Sequence, residues 1–318
     1  MKPKTETRMN LFSKIVCVLL FAILFSCTPE PERPAQLEDF DLQGHRGAMG
    51  MFAENTIPSF LLAIDEGVNT IEFDIAVSAD DDIIISHEPW FRHDICLDPN
   101  EEQIPEDEER EHLIYELSTR EVQEYDCGSL QNPDHPDQQN RSQPKPTMIE
   151  AIETIENYID DNNLAPVYYS IETKSRPEWD NHKTPDPETF TQLMYDELAE
   201  LDVLDRVIMQ SFDPRTLRVM REIDDQIRQA LLISRNGGDV EDDTDELGYI
   251  PEIYSPNYLL VTRQMVDKAH EKGMEVIPWT VNHTDDMEHM IELGVDGLLT
   301  DYPNRFNAEV REIFERAE

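Results

Sequence analysis

Lysine is nearly missing from this sequence. Eight lysines and 18 arginines face 69 acidic residues, for a formal net charge of −43. A surface this acidic repels nucleic acid and anionic lipid, so neither is expected as a direct partner. Beyond the leader, only five lysines remain, and 22 basic residues face 68 acidic ones. Self-repulsion at that charge calls for screening, so adaptation to salt is expected. There is no G-x-x-x-x-G-K-S/T loop and no G-x-S-x-G elbow, which leaves nucleotide-dependent and serine-hydrolase chemistry without support. Cysteine is scarce at four residues, and no Cys or His pairs stand at zinc spacing.

No apolar run reaches the roughly 20 residues that a spanning helix needs. The longest, Ile15 to Phe25, has eleven residues and follows Lys2, Lys4, Arg8 and Lys14. That is the build of a signal peptide over residues 1–26. It ends in Leu24-Phe25-Ser26-Cys27, similar to a bacterial lipobox, so Cys27 is expected to carry lipid and tether the protein to a membrane outside the cytoplasm. Residues 27–40, polar and proline-rich at their start, suit an extended tether. With Cys17 in the leader and Cys27 lipidated, Cys96 and Cys127 remain as an even pair in an oxidising compartment. A disulfide between them would contribute about 3–4 kcal/mol in the chain-entropy model.

The 292 residues after the leader suit one large α/β barrel. From residue 41 to 318, short apolar runs alternate with helical stretches, the pattern of parallel strands with crossover helices. Strands are expected at 41–45, 70–76, 83–87, 167–172, 207–211, 229–233, 253–255, 275–280 and 297–300. That is one more than a barrel needs. Gly67, Gly273 and Gly294 each follow a helical run, where a glycine C-cap serves. Residues 88–145 break the rhythm: acidic, proline-bearing and weakly periodic, they read as an insertion after the third strand, stapled by Cys96 and Cys127. Leaving from a strand end, the insertion should emerge on the face where barrel active sites lie.

Buried charge is costly unless paired or bound to metal, so charged residues in apolar strands need a reason. Glu72 and Asp74 stand two apart in one strand, which puts both on one face. Glu172 and Lys174 repeat the device. His45-Arg46 and His87 end two other runs. Three carboxylates suit a hard, oxygen-loving cation, Ca²⁺ or Mg²⁺. With Arg46 and Lys174 they would make a nest for a phosphate diester. The histidines would divide the proton work between nucleophile and leaving group.

His45-Arg46-Gly47, Glu54-Asn55-Thr56, Phe60, Ala63, Gly67 and Glu72-x-Asp74 resemble the N-terminal signature of the glycerophosphodiester phosphodiesterase family. The resemblance continues through His87, Glu172-x-Lys174, Gln210-Ser211-Phe212, Trp279-Thr280-Val281-Asn282 and the segment from Gly294 to Pro303. It implies a TIM barrel that hydrolyses glycerophosphodiesters to glycerol 3-phosphate and an alcohol. It also implies Glu72, Asp74 and Glu172 as metal ligands, His45 and His87 as the acid/base pair, Arg46 and Lys174 at the phosphate, and Trp279 and Asn282 near the substrate. The chain departs from the pattern at Ala53, where the family has proline, and at His87-Glu88-Pro89, where it often has His-Asp. The alternative is a related barrel phospholipase of the phosphoinositide C or sphingomyelinase D type; the first motifs alone do not exclude the D type, but Glu172-x-Lys174 and Trp279-Thr280-Val281-Asn282 favour the glycerophosphodiesterase. A surface-binding lipoprotein without catalysis would lack a histidine or carboxylate, and none is missing.

Overall fold

The computed structural model describes residues 40–234, 239–306 and 310. The leader, Cys27 and all but the end of the tether lie outside them. Among the described residues nine strands form: β1 Asp41–Gly44, β2 Thr70–Val77, β3 Ile83–Ile85, β4 Tyr168–Thr173, β5 Val207–Ser211, β6 Arg228–Ile233, β7 Ile253–Pro256, β8 Glu275–Val276 and β9 Gly297–Thr300. Eight are parallel, in the order β8-β7-β6-β5-β4-β2-β1-β9. The ring closes between its ends through backbone hydrogen bonds from Asp296 to Val276, Leu299 to Pro278 and Val281 to Leu299, at 2.8–3.0 Å. This is the expected TIM barrel.

The ninth strand is β3. It runs antiparallel against the end of β2, pairing Ile75 with Ile85 and Val77 with Ile83, and stands outside the ring. An Ile-Ile-Ile run reads the same in either direction, so sequence alone could not exclude it from the barrel. Being antiparallel, it carries the chain back from beyond the mouth, and Ser86 N–H donates to the Asp74 carbonyl at 2.9 Å. His87 therefore reaches the mouth on a returning strand, not at a barrel-strand end.

The outer helices are α1 Ile57–Asp65, α3 Met148–Asn162, α4 Pro187–Glu200, α5 Pro214–Ile223, α6 Val240–Leu247, α7 Arg263–Glu271 and α8 Thr284–Glu292; the four-residue α2, Thr119–Val122, lies in the insertion. Helix α3 starts on a capping box: the Thr147 hydroxyl accepts from Glu150 N–H, and the Glu150 carboxylate accepts from Thr147 N–H. Gly67, Gly273 and Gly294 take φ of +82° to +83°, the left-handed turn glycine adopts without strain. Helix α6 turns a short buried face of Val240, Thr244 and Leu247 inward despite its acidic run Glu241–Glu246. Asp239 caps it by accepting from Glu241 N–H.

All eight residues of β2 are buried. Ile71, Phe73, Ile75 and Val77 face the helices within the main core, so alternation turns Glu72 and Asp74 into the barrel. Deep inside, Ile208, Ala230, Ile253 and Ile277 form a small apolar plug. Residues 88–145 build a satellite core around Phe91, Ile95, Ile114 and Val122, with Cys96 and Cys127 joined as a disulfide. The end of this segment is tied to the first barrel loop, where the Gln138 amide donates to the carbonyls of Met49 and Phe52. Among the described residues, no helix is long and apolar enough to cross a membrane.

Candidate active site

Register aligns the acidic residues. Asp74 lies beside Glu172 across the β2–β4 pair, and Glu172 lies beside Gln210 across β4–β5. Parallel partners point to the same side of a sheet, so these side chains share the barrel interior, with Glu72 one level deeper. One oxygen from each of Glu72, Asp74 and Glu172 lies within 4.8 Å of the other two.

The loop after β1 braces this cluster. Arg46 has φ +48° and Gly47 φ +83°. A Cβ on Gly47 would stand 2.6 Å from Ser59, so only glycine passes there. The left-handed Arg46 directs its N–H to Glu72 Oε2 at 2.8 Å. Gln210 Nε2 donates to the other Glu72 oxygen at 2.7 Å. Asn55 Nδ2 donates to Asp74 Oδ2 at 2.9 Å. Arg46 Nε lies 3.3 Å from that same oxygen, and Arg46 Nη1 donates to Glu54 at 2.8 Å. Lys174 Nζ donates to Glu172 at 2.7 Å and lies 3.5 Å from Asp74 Oδ1.

These carboxylates are short of positive charge. Burial and the Asp74 charge push the Glu72 carboxyl up to about 8. Burial also raises Glu172, and Lys174 only partly offsets it. Burial works against ionisation of Asp74 too, but His87, Lys174 and Arg46 outweigh it and hold its carboxyl far below the usual range. Asp74 Oδ1 is buried without a hydrogen-bond partner, a costly state unless another group claims it. An all-oxygen donor set, with one buried oxygen that only the Lys174 ammonium approaches and no hydrogen bond satisfies, fits a hard divalent cation.

The two imidazoles have opposite surroundings. His45 Nδ1 lies 2.5 Å from Asp301 Oδ1. Burial and the Arg46 charge work against its protonation, but Asp301 and Glu72 prevail and its pKa rises. His87 is pushed down to about 4 by burial, Arg46 and Lys174, although Glu88 lies 3.0 Å from its Nδ1. Both histidines line a cavity of about 140 Å³ with Arg46, Glu72, Glu172, Gln210, Phe212 and Trp279. Trp279 donates its indole N–H to the Ser255 carbonyl and meets Phe212 edge-on at 5.4 Å, presenting an apolar wall.

Asn282 stands one layer back from this cavity. It donates to Asp301 Oδ2 at 2.6 Å and accepts from Asp301 N–H at 2.9 Å. Reading the sequence assigned no role to Glu54, Asn55, Gln210 or Asp301, although all four lie in the motifs quoted. Their signal was weak because a polar residue at a turn or strand end has an ordinary solvated reading until tertiary structure buries it.

Known proteins align with this arrangement. A family model described as the glycerophosphoryl diester phosphodiesterase family matches residues 45–305. A glycerophosphodiester phosphodiesterase from Caldanaerobacter subterraneus subsp. tengcongensis is 25% identical over 266 residues, covering 81% of this chain and 93% of that protein. The crystal structure of a candidate glycerophosphoryl diester phosphodiesterase from Silicibacter pomeroyi superposes with a TM-score of 0.77 at 25% identity, covering 88% of this chain and 98% of that one. An Oleispira antarctica phosphodiesterase, solved in complex with the product sn-glycerol-3-phosphate, shares the fold with a TM-score of 0.66 at 20% identity, over 85% of this chain and 96% of that one. With the match running over residues 45–305, this chain belongs to the glycerophosphoryl diester phosphodiesterase family.

Proposed function

We propose that the protein hydrolyses glycerophosphodiesters to glycerol 3-phosphate and an alcohol, with one divalent cation, Ca²⁺ or Mg²⁺, held by Glu72, Asp74 and Glu172. The observation that carries this reading is the convergence of those three carboxylates within 4.8 Å, two of which, Glu72 and Glu172, line a cavity with both histidines. The product bound to the Oleispira antarctica relative is consistent with it. When bound, the cation would supply a Lewis-acid charge to the phosphoryl oxygens.

The protein's own groups do the rest. Arg46 and Lys174 hold the phosphate and offset charge that grows in the transition state. His87, kept neutral near pH 7 by burial and by its cationic neighbours, takes the proton of the attacking water. His45, whose charged form Asp301 favours, donates a proton to the leaving alkoxide as the phosphorus–oxygen bond breaks. Trp279 and Phe212 give the substrate an apolar face to rest on.

A panel of glycerophosphodiesters assayed with Ca²⁺, Mg²⁺ and excess chelator tests this. Hydrolysis restored by one cation is expected. Turnover undiminished in chelator would remove the metal role, and inactivity on every diester would remove the reading itself. The same proposal places the enzyme outside the cytoplasm, cleaved before Cys27 and anchored there by lipid. Cys27→Ala should then free it from the membrane fraction or leave it unprocessed; unchanged attachment would refute that part alone.

A further inference from the structure

Two tryptophans beside the mouth collect three cations that the mechanism does not use. Trp90, three residues past His87, meets Trp179, five past Lys174, edge-on at 5.8 Å. The Lys183 ammonium lies 4.5 Å from the Trp90 ring centre and 5.7 Å from that of Trp179. Arg110 lies over Trp90 at 5.2 Å, and Arg176 over Trp179 at 4.7 Å. Each is within the roughly 6 Å reach of a cation–π contact.

Among the described residues, these cations have little acidic company in a chain full of acids. Among the described residues, no carboxylate comes within 4.0 Å of Lys183 or Arg176. Arg110 meets only Glu109, at 4.0 Å. Glu88 and Glu178 act on Lys183 from farther off. Elsewhere Lys268 grips Asp239 at 2.6 Å, and Arg215 grips both Asp180 and Asp213. The aromatic faces are taken by these cations, so a quaternary ammonium would meet repulsion here. Trp90 is buried, and its indole N–H has no acceptor. Indole nitrogen only donates, so what the spot lacks is an acceptor oxygen, and the three cations around it favour one that carries negative charge.

We infer that Lys183, Arg176 and Arg110, held on Trp90 and Trp179, form a head-group subsite for a negatively charged oxyanion, phosphate or carboxylate, on the alcohol portion of the diester. This rests on the phosphodiesterase reading above. Glu88 links the two sites: it lies 3.0 Å from His87 and within electrostatic range of Lys183. The subsite therefore adjoins the His87 side of the reacting phosphate. Arg176 and Arg110 are exposed and Lys183 is half-buried, so these cations favour one substrate over another by charge, and salt weakens that preference.

Three diesters that share a glycerophosphoryl half test it: glycerophosphoglycerol, the same compound phosphorylated on its distal glycerol, and one with glycerate in place of that glycerol. Wild type should favour at least one anionic compound over glycerophosphoglycerol by about tenfold or more in kcat/KM, the size of one charge-assisted contact. The ratio should fall about tenfold in Lys183→Met/Arg176→Gln and persist in Lys183→Arg. Because both substrates meet the same preparation, misfolded protein cancels from the ratio. Should the double variant not fold, a salt series on wild type gives a second reading: the preference should collapse between ~0.05 M and ~1 M NaCl. No preference in wild type, or a ratio unmoved by the substitutions or by salt, overturns the subsite while leaving the phosphodiesterase intact. Hydrolysis of none of the three overturns both.

Discussion

Asp301 holds His45 from 256 residues away, with Oδ1 2.5 Å from the imidazole Nδ1. The second Asp301 oxygen is taken by Asn282 at 2.6 Å, so the carboxylate cannot rotate freely. This fixes the ring and leaves its Nε2 for the substrate. Asp301→Asn should keep the fold and lower kcat by about 10²–10⁴, the range for disabling a general acid or base. Asp301 raises the His45 pKa, so its loss lowers it. If His45 is the acid, the alkaline limb of the kcat/KM profile moves to lower pH. A limb that stays in place, or moves up, would remove His45 from that role.

Asp74 is the pivot of the metal proposal. It accepts from Asn55, pairs with Arg46 and Lys174, and keeps one buried oxygen free of hydrogen bonds. A cation that binds only the folded state stabilises it by about 2.7 kcal/mol at 100 times its Kd. Wild type should therefore melt at a higher temperature as Ca²⁺ or Mg²⁺ is added, and Asp74→Asn should not. An equal rise in both proteins would place the cation elsewhere.

The Cys96–Cys127 bond spans 31 residues inside the satellite core. A loop of that size is worth about 3–4 kcal/mol in the chain-entropy model. The double Cys→Ser variant should open residues 88–145 to limited proteolysis before the barrel unfolds. Cleavage that begins in the barrel instead would show that the insertion does not depend on its staple.

Glu197 on α4 accepts from Ile83 N–H at 2.9 Å, at the start of the strand that delivers His87. Burial, with Asp82 and Glu200 nearby, pushes its carboxyl up to about 7, against the pull of the Ile83 hydrogen bond. A carboxyl with a raised folded pKa binds more protons folded than unfolded between about pH 4.5 and pH 7. Its contribution therefore falls as pH rises through that window. Glu197→Gln should flatten this part of the stability–pH curve, read as melting temperature. A variant that keeps the wild-type slope would clear Glu197 of responsibility.

The salt prediction follows from charge alone. With 68 acids against 22 bases after the leader, repulsion acts over a Debye length of about 30 Å at 0.01 M salt but about 3 Å at 1 M. Screening relieves the compact state more than the expanded one. At saturating divalent cation, the melting temperature should rise steeply with NaCl or KCl into the molar range. A flat or falling response would make the acidity a matter of solubility.

What the sequence determined by itself was whatever depends on local order. Strand and helix alternation is local, and it was enough for the barrel. Two-residue spacing is local, and it put Glu72 and Asp74 on one face without any knowledge of their neighbours. The motifs from His45 to Pro303 carried the family because each is short and in sequence order. Tertiary structure decided everything that depends on pairing across the ring. It turned β3 antiparallel and out of the barrel, since an isoleucine run has no direction until a partner supplies one. It set Asn282 behind Asp301 instead of at the substrate cavity, because hydrogen-bond partners 19 residues apart are not marked in a sequence. It also gathered Arg110, Arg176 and Lys183 onto two tryptophans from separate loops. Each of those five residues reads alone as an ordinary surface or core position, and only the pairing of both β3 and β4 with β2 brings their loops close enough to make them a group.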